Sequence, residues 1–290
     1  MLPNFFVVGA QKCGTTSLHS YLAAHPAIYL PEGKETKFFA DDKRYAKGIE
    51  YYQQHWFSGI KAGQLVGEVD PDYMYFDAAL DRMADTLDIK STKYLFVFRE
   101  PVSRAFSHYL MTYRRGLDPL SFEEAIAAEP ARIRKGYYER LHYSYLDRGY
   151  YYRQVMRFLE RVDRKQMLFI LTEDLAKDAE RVMTDVFRFL EVEHYASPAF
   201  RERQLAAKVP RSMKLLNAIK SDGVHKNIFR LLLPVPAIRK RVRQGILSLN
   251  ETDDIGMSLN EDTNRQLKAM FLEENMKLAK LIDRDLAGWV

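Results

Sequence analysis

Phe5-Phe6-Val7-Val8-Gly9-Ala10-Gln11-Lys12-Cys13-Gly14-Thr15-Thr16-Ser17-Leu18 is the stretch on which the fold turns. Its apolar start reads as a short buried strand, and Thr15–Ala24 carries a helical pattern. Gly9 and Gly14 enclose four residues, the spacing of the phosphate-binding loop G-x-x-x-x-G-K-[ST]. Glycines let such a loop curl until several N–H groups point inward, and the helix start adds its dipole, so an anion fits there. Gly14 would shape the turn, with Thr15, Thr16 and Ser17 as hydroxyl donors. One departure matters. A nucleoside-triphosphatase loop has lysine directly after the second glycine; here that residue is Thr15, and the lysine is Lys12, two residues before Gly14.

Working outward, Asn4–Val8, Gln64–Val69, Lys93–Phe98 and Gln166–Thr172 read as strands. Continuous apolar runs such as Tyr94-Leu95-Phe96-Val97-Phe98 suit a sheet covered on both faces. Helical patterns at Ala78–Leu87, Val102–Tyr113, Tyr150–Val162 and Ala179–Leu190 alternate with them. That alternation predicts an α/β fold: a P-loop-like, three-layer arrangement with a central parallel sheet flanked by helices. Beyond Asp174 the pattern predicts helices and no strand. The last helix runs from about Leu259 to Leu286, capped by Ser258 or Asn260, with Leu267, Met270, Phe271, Leu278, Leu281 and Ile282 as its apolar stripe. Pro234-Val235-Pro236 reads as a bend rather than a linker, so residues 1–290 are taken as a single domain.

The 290 residues are 47% hydrophobic and 29% charged, which excludes disorder as the dominant state. Cys13 stands alone, so no disulfide forms within the chain. No run of 18 apolar residues exists, and the N-terminus lacks a basic leader and a cleavage site, so a cytoplasmic protein is expected. The net charge of +5 is unevenly spread: 12 basic residues crowd residues 201–245, opposed only by Glu202 and Asp222. The tract suits an anionic partner or a solvated helical face. Within it, residues 228–243 join an apolar run to Arg239-Lys240-Arg241-Val242-Arg243, leaving a membrane-surface association open beside an ordinary amphipathic helix pair.

A nucleoside-triphosphate enzyme also needs an acid at the end of a neighbouring strand to hold Mg²⁺. The strand Lys93–Phe98 ends instead in Arg99-Glu100-Pro101-Val102-Ser103-Arg104. Its first polar residue is a cation, suited to a second anionic group rather than a metal. Glu100 beside it keeps an acidic role open.

With these residues in view, the sequence resembles the sulfotransferases that use 3′-phosphoadenylyl sulfate (PAPS), in their heparan-sulfate-type and bacterial branch. Gly9–Leu18 resembles their 5′-phosphosulfate loop, and Phe98–Tyr109 their 3′-phosphate-binding strand–turn–helix. Lys34-Glu35-Thr36-Lys37-Phe38-Phe39 and Gly67-Glu68-Val69-Asp70-Pro71-Asp72-Tyr73 are similar to their K-E-x-x-F-F and G-E-x-x-P-x-Y segments. Arg148-Gly149-Tyr150-Tyr151, Thr172-Glu173-Asp174-Leu175 and the closing Asn275–Trp289 stretch follow in order.

The resemblance implies sulfuryl transfer from PAPS to an acceptor hydroxyl, without a metal, leaving adenosine 3′,5′-bisphosphate. In-line attack builds charge on the leaving phosphate oxygen, which Lys12 would stabilise. Arg99 and Ser107 would bind the 3′-phosphate, and Arg104 would orient the turn or face solvent. Glu35 would be the general base, with His108 and Glu68 in reserve. Lys208-Val209-Pro210-Arg211-Ser212 resembles a late loop folded over the nucleotide, with Arg211 as a contact. The acceptor would be a carbohydrate, a glycolipid or a small metabolite. Seven tyrosines between Gly136 and Tyr152 could stack on a sugar ring or pack in the core. Two rivals remain at this stage. One is a P-loop kinase or NTPase; the other is a nucleic-acid-binding protein using the 201–245 tract, which lacks an interleaved aromatic platform and a recognisable reading motif. No nucleic-acid partner is expected.

Overall fold

In the computed structural model of the chain, residues 1–201, 209–210, 251–252 and 257–289 are described. Five strands build one parallel sheet: β1 (Phe5–Gly9), β2 (Ile28–Tyr29), β3 (Leu65–Val69), β4 (Lys93–Phe98) and β5 (Met167–Leu171). Their order is β2-β3-β1-β4-β5, with every neighbouring pair parallel. The four strands read from the sequence are present within a residue at each end. Two-residue β2 at the sheet edge was missed, because two residues carry no readable period.

β1 is buried along its whole length, as its run of apolar residues requires. Phe5 pairs with Gly67, where a Cβ would come within 2.1 Å of the Phe5 ring, so only glycine admits that ring beneath the sheet. Phe6 stacks on Tyr94 at 6.2 Å and meets Phe39 and Tyr73 edge-on or tilted. At about 25 cal/mol per Å² of apolar surface removed from water, each such fully buried aromatic contributes substantially to the stability of the sheet.

Helices cover the sheet in the predicted places: α1 (Thr15–Ala23), α4 (Asp77–Thr86), α5 (Pro101–Arg114), α8 (Tyr151–Leu159) and α10 (Ala179–Leu190). Further helices lie between them: α2 (Asp42–Tyr45), α3 (Ile49–Trp56), α6 (Phe122–Arg132), α7 (Tyr137–Tyr143) and α9 (Thr172–Lys177). Ser121 and Glu124 close a capping box on α6.

The final helix, α11 (Glu261–Ile282), starts where Asn260 Oδ1 accepts from the Asp262 and Thr263 N–H groups. Its stripe differs from the one expected. Met270 is 40% exposed, and Asn275 is buried in line with Leu267, Phe271, Leu278 and Ile282. The expectation of no strand beyond Asp174 is also corrected. A two-residue antiparallel ladder pairs β6 (Val209–Pro210) with β7 (Glu251–Thr252). Such a pair has no hydrophobic run to announce it. No helix among the described residues is long and apolar enough to cross a membrane.

Because the sheet is parallel, the C-terminal ends of its strands lie along one edge. That edge is where α/β sheets place ligands. β1, β3, β4 and β5 therefore deliver Ala10–Gly14, Asp70–Asp72, Arg99–Glu100 and Thr172 to one side of the molecule.

Candidate active site

The loop after β1 is held from behind. The Thr172 hydroxyl lies 2.7 Å from the Cys13 carbonyl and 2.9 Å from that of Phe98, tying loop and β4 together. Tyr151 is fully buried and donates to the Arg99 carbonyl at 3.0 Å, with Cys13 Sγ at 3.6 Å. Tyr151 thus fixes the backbone that carries Arg99. Cys13 is buried, and that burial pushes its thiol up to about 11, so it packs as an inert small residue.

Gly14 caps α1 in the left-handed conformation (φ 89°), and no side chain caps the helix. No acid lies in its first turn either. The N–H groups of Thr15, Thr16 and Ser17 precede the first in-helix bond, Leu18 N to Gly14 O at 3.1 Å. Thr15 is buried, Ser17 half-buried and Thr16 exposed. This is an open, positively polarised helix end.

Lys12 also adopts positive φ (70°) and is half-buried. Burial, then the charges of Arg114, Arg115, Arg99 and Lys34, lowers its pKa to about 8. Cations gathered so closely make sense as the walls of a site for an anion with several charges. Arg114 and Arg115, at the end of α5, were not singled out in the sequence. Their only signal was their place about two turns beyond Ser107, on a helix already assigned to phosphate.

β4 lies beside β1, so Arg99 reaches the same edge, and Ser107 sits half-buried on α5. Glu100 is committed elsewhere. Its carboxylate caps α5, accepting from Val102 N at 2.8 Å and Ser103 N at 2.6 Å. Arg104 neither faces solvent nor lines the cleft. It is fully buried and donates to the Tyr145 carbonyl. Arg211 and residues 228–243 lie outside the described residues, as does most of the 201–245 tract.

Opposite the loop, Phe38 and Phe39 anchor the segment after β2 in the core, Phe38 stacking on Tyr52 at 4.3 Å. Alternation then turns Glu35 and Lys37 outward, both at positive φ (71° and 58°), while Thr36 points in. Glu35 Oε1 meets Lys34 Nζ at 2.5 Å, and Oε2 meets Lys37 Nζ at 3.1 Å. Burial pushes the Glu35 carboxyl up, but Lys37 and Lys34 outweigh it and hold the group below its ordinary range. Lys37 is in turn paired with buried Asp72, which Arg148 Nη1 also meets at 2.7 Å. The result is a chain of charges, Lys34–Glu35–Lys37–Asp72–Arg148. The tertiary structure assembles it from segments 114 residues apart in sequence.

The two reserve bases are corrected by their burial. Glu68 has no exposed surface; Thr36 donates to it at 2.5 Å, Tyr73 at 2.7 Å, and Tyr52 bonds its other oxygen. Burial raises its pKa, but within the core. His108 is equally buried, and burial followed by Arg104 and Arg148 drives it well below the usual histidine range. Neither can take a proton from a substrate in the cleft. The tyrosines divide: Tyr145 and Tyr151 have no exposed surface, whereas Tyr138 is 50% exposed with its ring 4.4 Å from that of His142.

The family model described as the sulfotransferase domain matches residues 2–223. A membrane-associated sulfotransferase of Dictyostelium discoideum, kil1, is 36% identical over 44% of this chain and 28% of its own length. Heparan sulfate glucosamine 3-O-sulfotransferase 3B1 of Mus musculus is 31% identical over 65% of this chain and 46% of its own. This chain thus spans less than half the length of those relatives. A sulfotransferase crystal structure from Alicyclobacillus acidocaldarius superposes with a TM-score of 0.72 at 30% identity, covering 100% of this chain and 99% of that one.

Proposed function

This chain belongs to the sulfotransferase domain family, and from that premise we propose that it transfers a sulfuryl group from PAPS to an acceptor hydroxyl. The observation that carries the reading is the group of cations around Lys12 at an uncapped helix start, with Arg99 just past the end of the adjacent strand. Those donors fit a ligand with two separate phosphate groups. Gly14, Thr15, Thr16 and Ser17 would hold the 5′ side; Arg99 and Ser107 would hold the 3′-phosphate. Arg211 remains part of the proposal on family resemblance alone.

The bound nucleotide supplies the activated sulfuryl group. The acceptor oxygen forms the new O–S bond as the bond from sulfur to the phosphate oxygen breaks, and the electron pair goes to that oxygen. Lys12 neutralises the charge as it grows, which is worth more in a site shielded from water. Glu35 takes the acceptor proton. Its two lysines keep it ionised at neutral pH, and displacing one of them on acceptor entry would raise its basicity. The acceptor is proposed to be a carbohydrate, glycolipid or small metabolite, and the setting cytoplasmic. Relatives named for heparan sulfate glucosamine favour the first of these acceptors.

The kinase reading loses its one candidate metal ligand on β4, because Glu100 is spent on capping α5. Titration calorimetry separates the two readings. Adenosine 3′,5′-bisphosphate should bind without metal, and ATP with Mg²⁺ should bind far more weakly. ATP binding without bisphosphate binding would sink the sulfotransferase reading.

A further inference from the structure

Two polar atoms without partners among the described residues belong to side chains that interact with the charges around Glu35: His19 with Lys34 and Glu35, and Tyr137, one of the seven tyrosines noted in the sequence, with Lys37. His19 lies on α1, four residues past Thr15 and so on the same helix face one turn on. Its ring meets the Pro31 carbonyl and lies near Lys34 and Glu35, on the Oε1 side of the carboxylate. Its Nε2 is buried with no partner among the described residues. Burial, then Lys34, holds the ring neutral, so with one nitrogen facing Pro31 the other is a hydrogen-bond acceptor.

Tyr137 opens α7, its ring 4.8 Å from that of Phe76. Its hydroxyl is buried without a partner among the described residues. Asp72 and Lys37 are the charges that act on it most strongly, and Lys37 is the lysine that holds Glu35 Oε2.

A buried polar group left unpaired costs about 1–3 kcal/mol, so a folded chain keeps few of them without reason. Of the other unpaired atoms, those on Tyr94, Arg104, His108 and Asn275 belong to residues at most 1% exposed, out of reach of a substrate, while those on half-buried Gln11 and Arg114 belong to the loop and the helix end beside Lys12, on the nucleotide side. His19 and Tyr137 are half-buried, so a ligand in the cleft can approach them.

We propose that His19 and Tyr137 are the acceptor-orienting pair, each forming one hydrogen bond with the acceptor on either side of the hydroxyl that faces Glu35. The proposal rests on the sulfuryl-transfer reading and deepens it. It requires an acceptor with a hydrogen-bond donor beside the reacting hydroxyl, toward His19, and a second polar group toward Tyr137. An alcohol with one hydroxyl on a bare hydrocarbon would leave both protein groups buried and unpaired, and would be discriminated against.

The test uses the full chain, labelled PAPS, and two probe acceptors, D-glucosamine and cyclohexanol. The wild-type enzyme should favour glucosamine by about tenfold or more in kcat/KM. Tyr137→Phe and His19→Leu should each lower kcat/KM on glucosamine by about tenfold, mainly through KM. His19→Gln, which can place an oxygen near the Nε2 position, should recover part of the loss. The dissociation constant for adenosine 3′,5′-bisphosphate should stay within about twofold throughout, since neither residue is assigned to the nucleotide. Preference for cyclohexanol, or unchanged KM in both variants, overturns the pair.

If neither probe turns over, the ¹⁵N resonances of the His19 ring in the bisphosphate complex decide. Glucosamine should shift them and cyclohexanol should not; no shift with glucosamine also overturns the pair. Failure of the bisphosphate itself to bind is a separate outcome, which strikes the transfer reading.

Discussion

Two helices begin at the same edge of the sheet, one strand apart, and their N-termini are finished in opposite ways. α1 starts at Gly14 with no side-chain cap and no acid in its first turn. α5 starts at Glu100, whose carboxylate takes the N–H groups of Val102 and Ser103, with Pro101 in the first turn. Both follow a buried parallel strand, and both carry the same partial positive charge. The first is left open and the second is closed by the chain itself. The lesson is that a strand–loop–helix unit is not an anion site by geometry alone. The residue at the cap decides. On the proposed reading, a 3′-phosphate on the β4 side would be held by side chains, Arg99 and Ser107, and not by the start of α5.

The open end yields the largest predicted effect. Lys12→Ala should lower turnover by about 10²–10³ while bisphosphate binding is largely kept, because the ammonium acts on charge that develops during transfer. Unchanged turnover would remove Lys12 from the chemistry and reduce the open end to a docking site.

A second effect concerns pH. Lys12, lowered to about 8 by burial and by Arg114, Arg115, Arg99 and Lys34, is charged below that value and loses its proton above it. The charged form is the one that can neutralise the leaving oxygen. Turnover at saturating nucleotide should therefore fall as pH rises through 8 and beyond, at up to about tenfold per unit, while bisphosphate affinity changes little across that range. A pH–rate profile reads this, and a turnover that keeps rising above about pH 9 would contradict the assignment.

The closed end yields the smallest effect. Glu100→Ala removes the α5 cap and should cost about 1 kcal/mol, lowering Tm by about 2 °C, with bisphosphate affinity little changed. If affinity instead improves markedly, the two ends are less different than described, since an opened α5 would then be taking phosphate.

Much of the fold was legible because it depends on local rules. The strand–glycine–helix passage at Phe5–Leu18, the apolar run Tyr94–Phe98 and the 3.6-residue pattern of α10 each state their structure within a few residues. What escaped was short, like β2, or decided by neighbours. Met270 looked like a core residue by spacing and is exposed, while Asn275, polar, is buried. Site residues divide along the same line. Lys12, Gly14, Thr15, Thr16, Ser17 and Arg99 do come to one edge, as their motifs implied. Glu68 and His108 had plausible chemistry and no access, because access is a property of packing and not of residue type. His19 had no pattern to betray it, and Tyr137 only its place in the run of seven tyrosines; an unpaired buried atom marks each.

The sequence by itself determined an α/β sheet and an anion-binding loop that departs from the triphosphatase pattern. Chirality, glycine φ freedom and side-chain period act over a few residues and are written in order along the chain. Only the tertiary structure decided which charges share a neighbourhood: the cations crowding Lys12, the carboxylate closing α5, and the chain from Lys34 through Glu35, Lys37 and Asp72 to Arg148. Coulomb and desolvation energies depend on distances through space and on distance from water, and neither is a function of position along the chain.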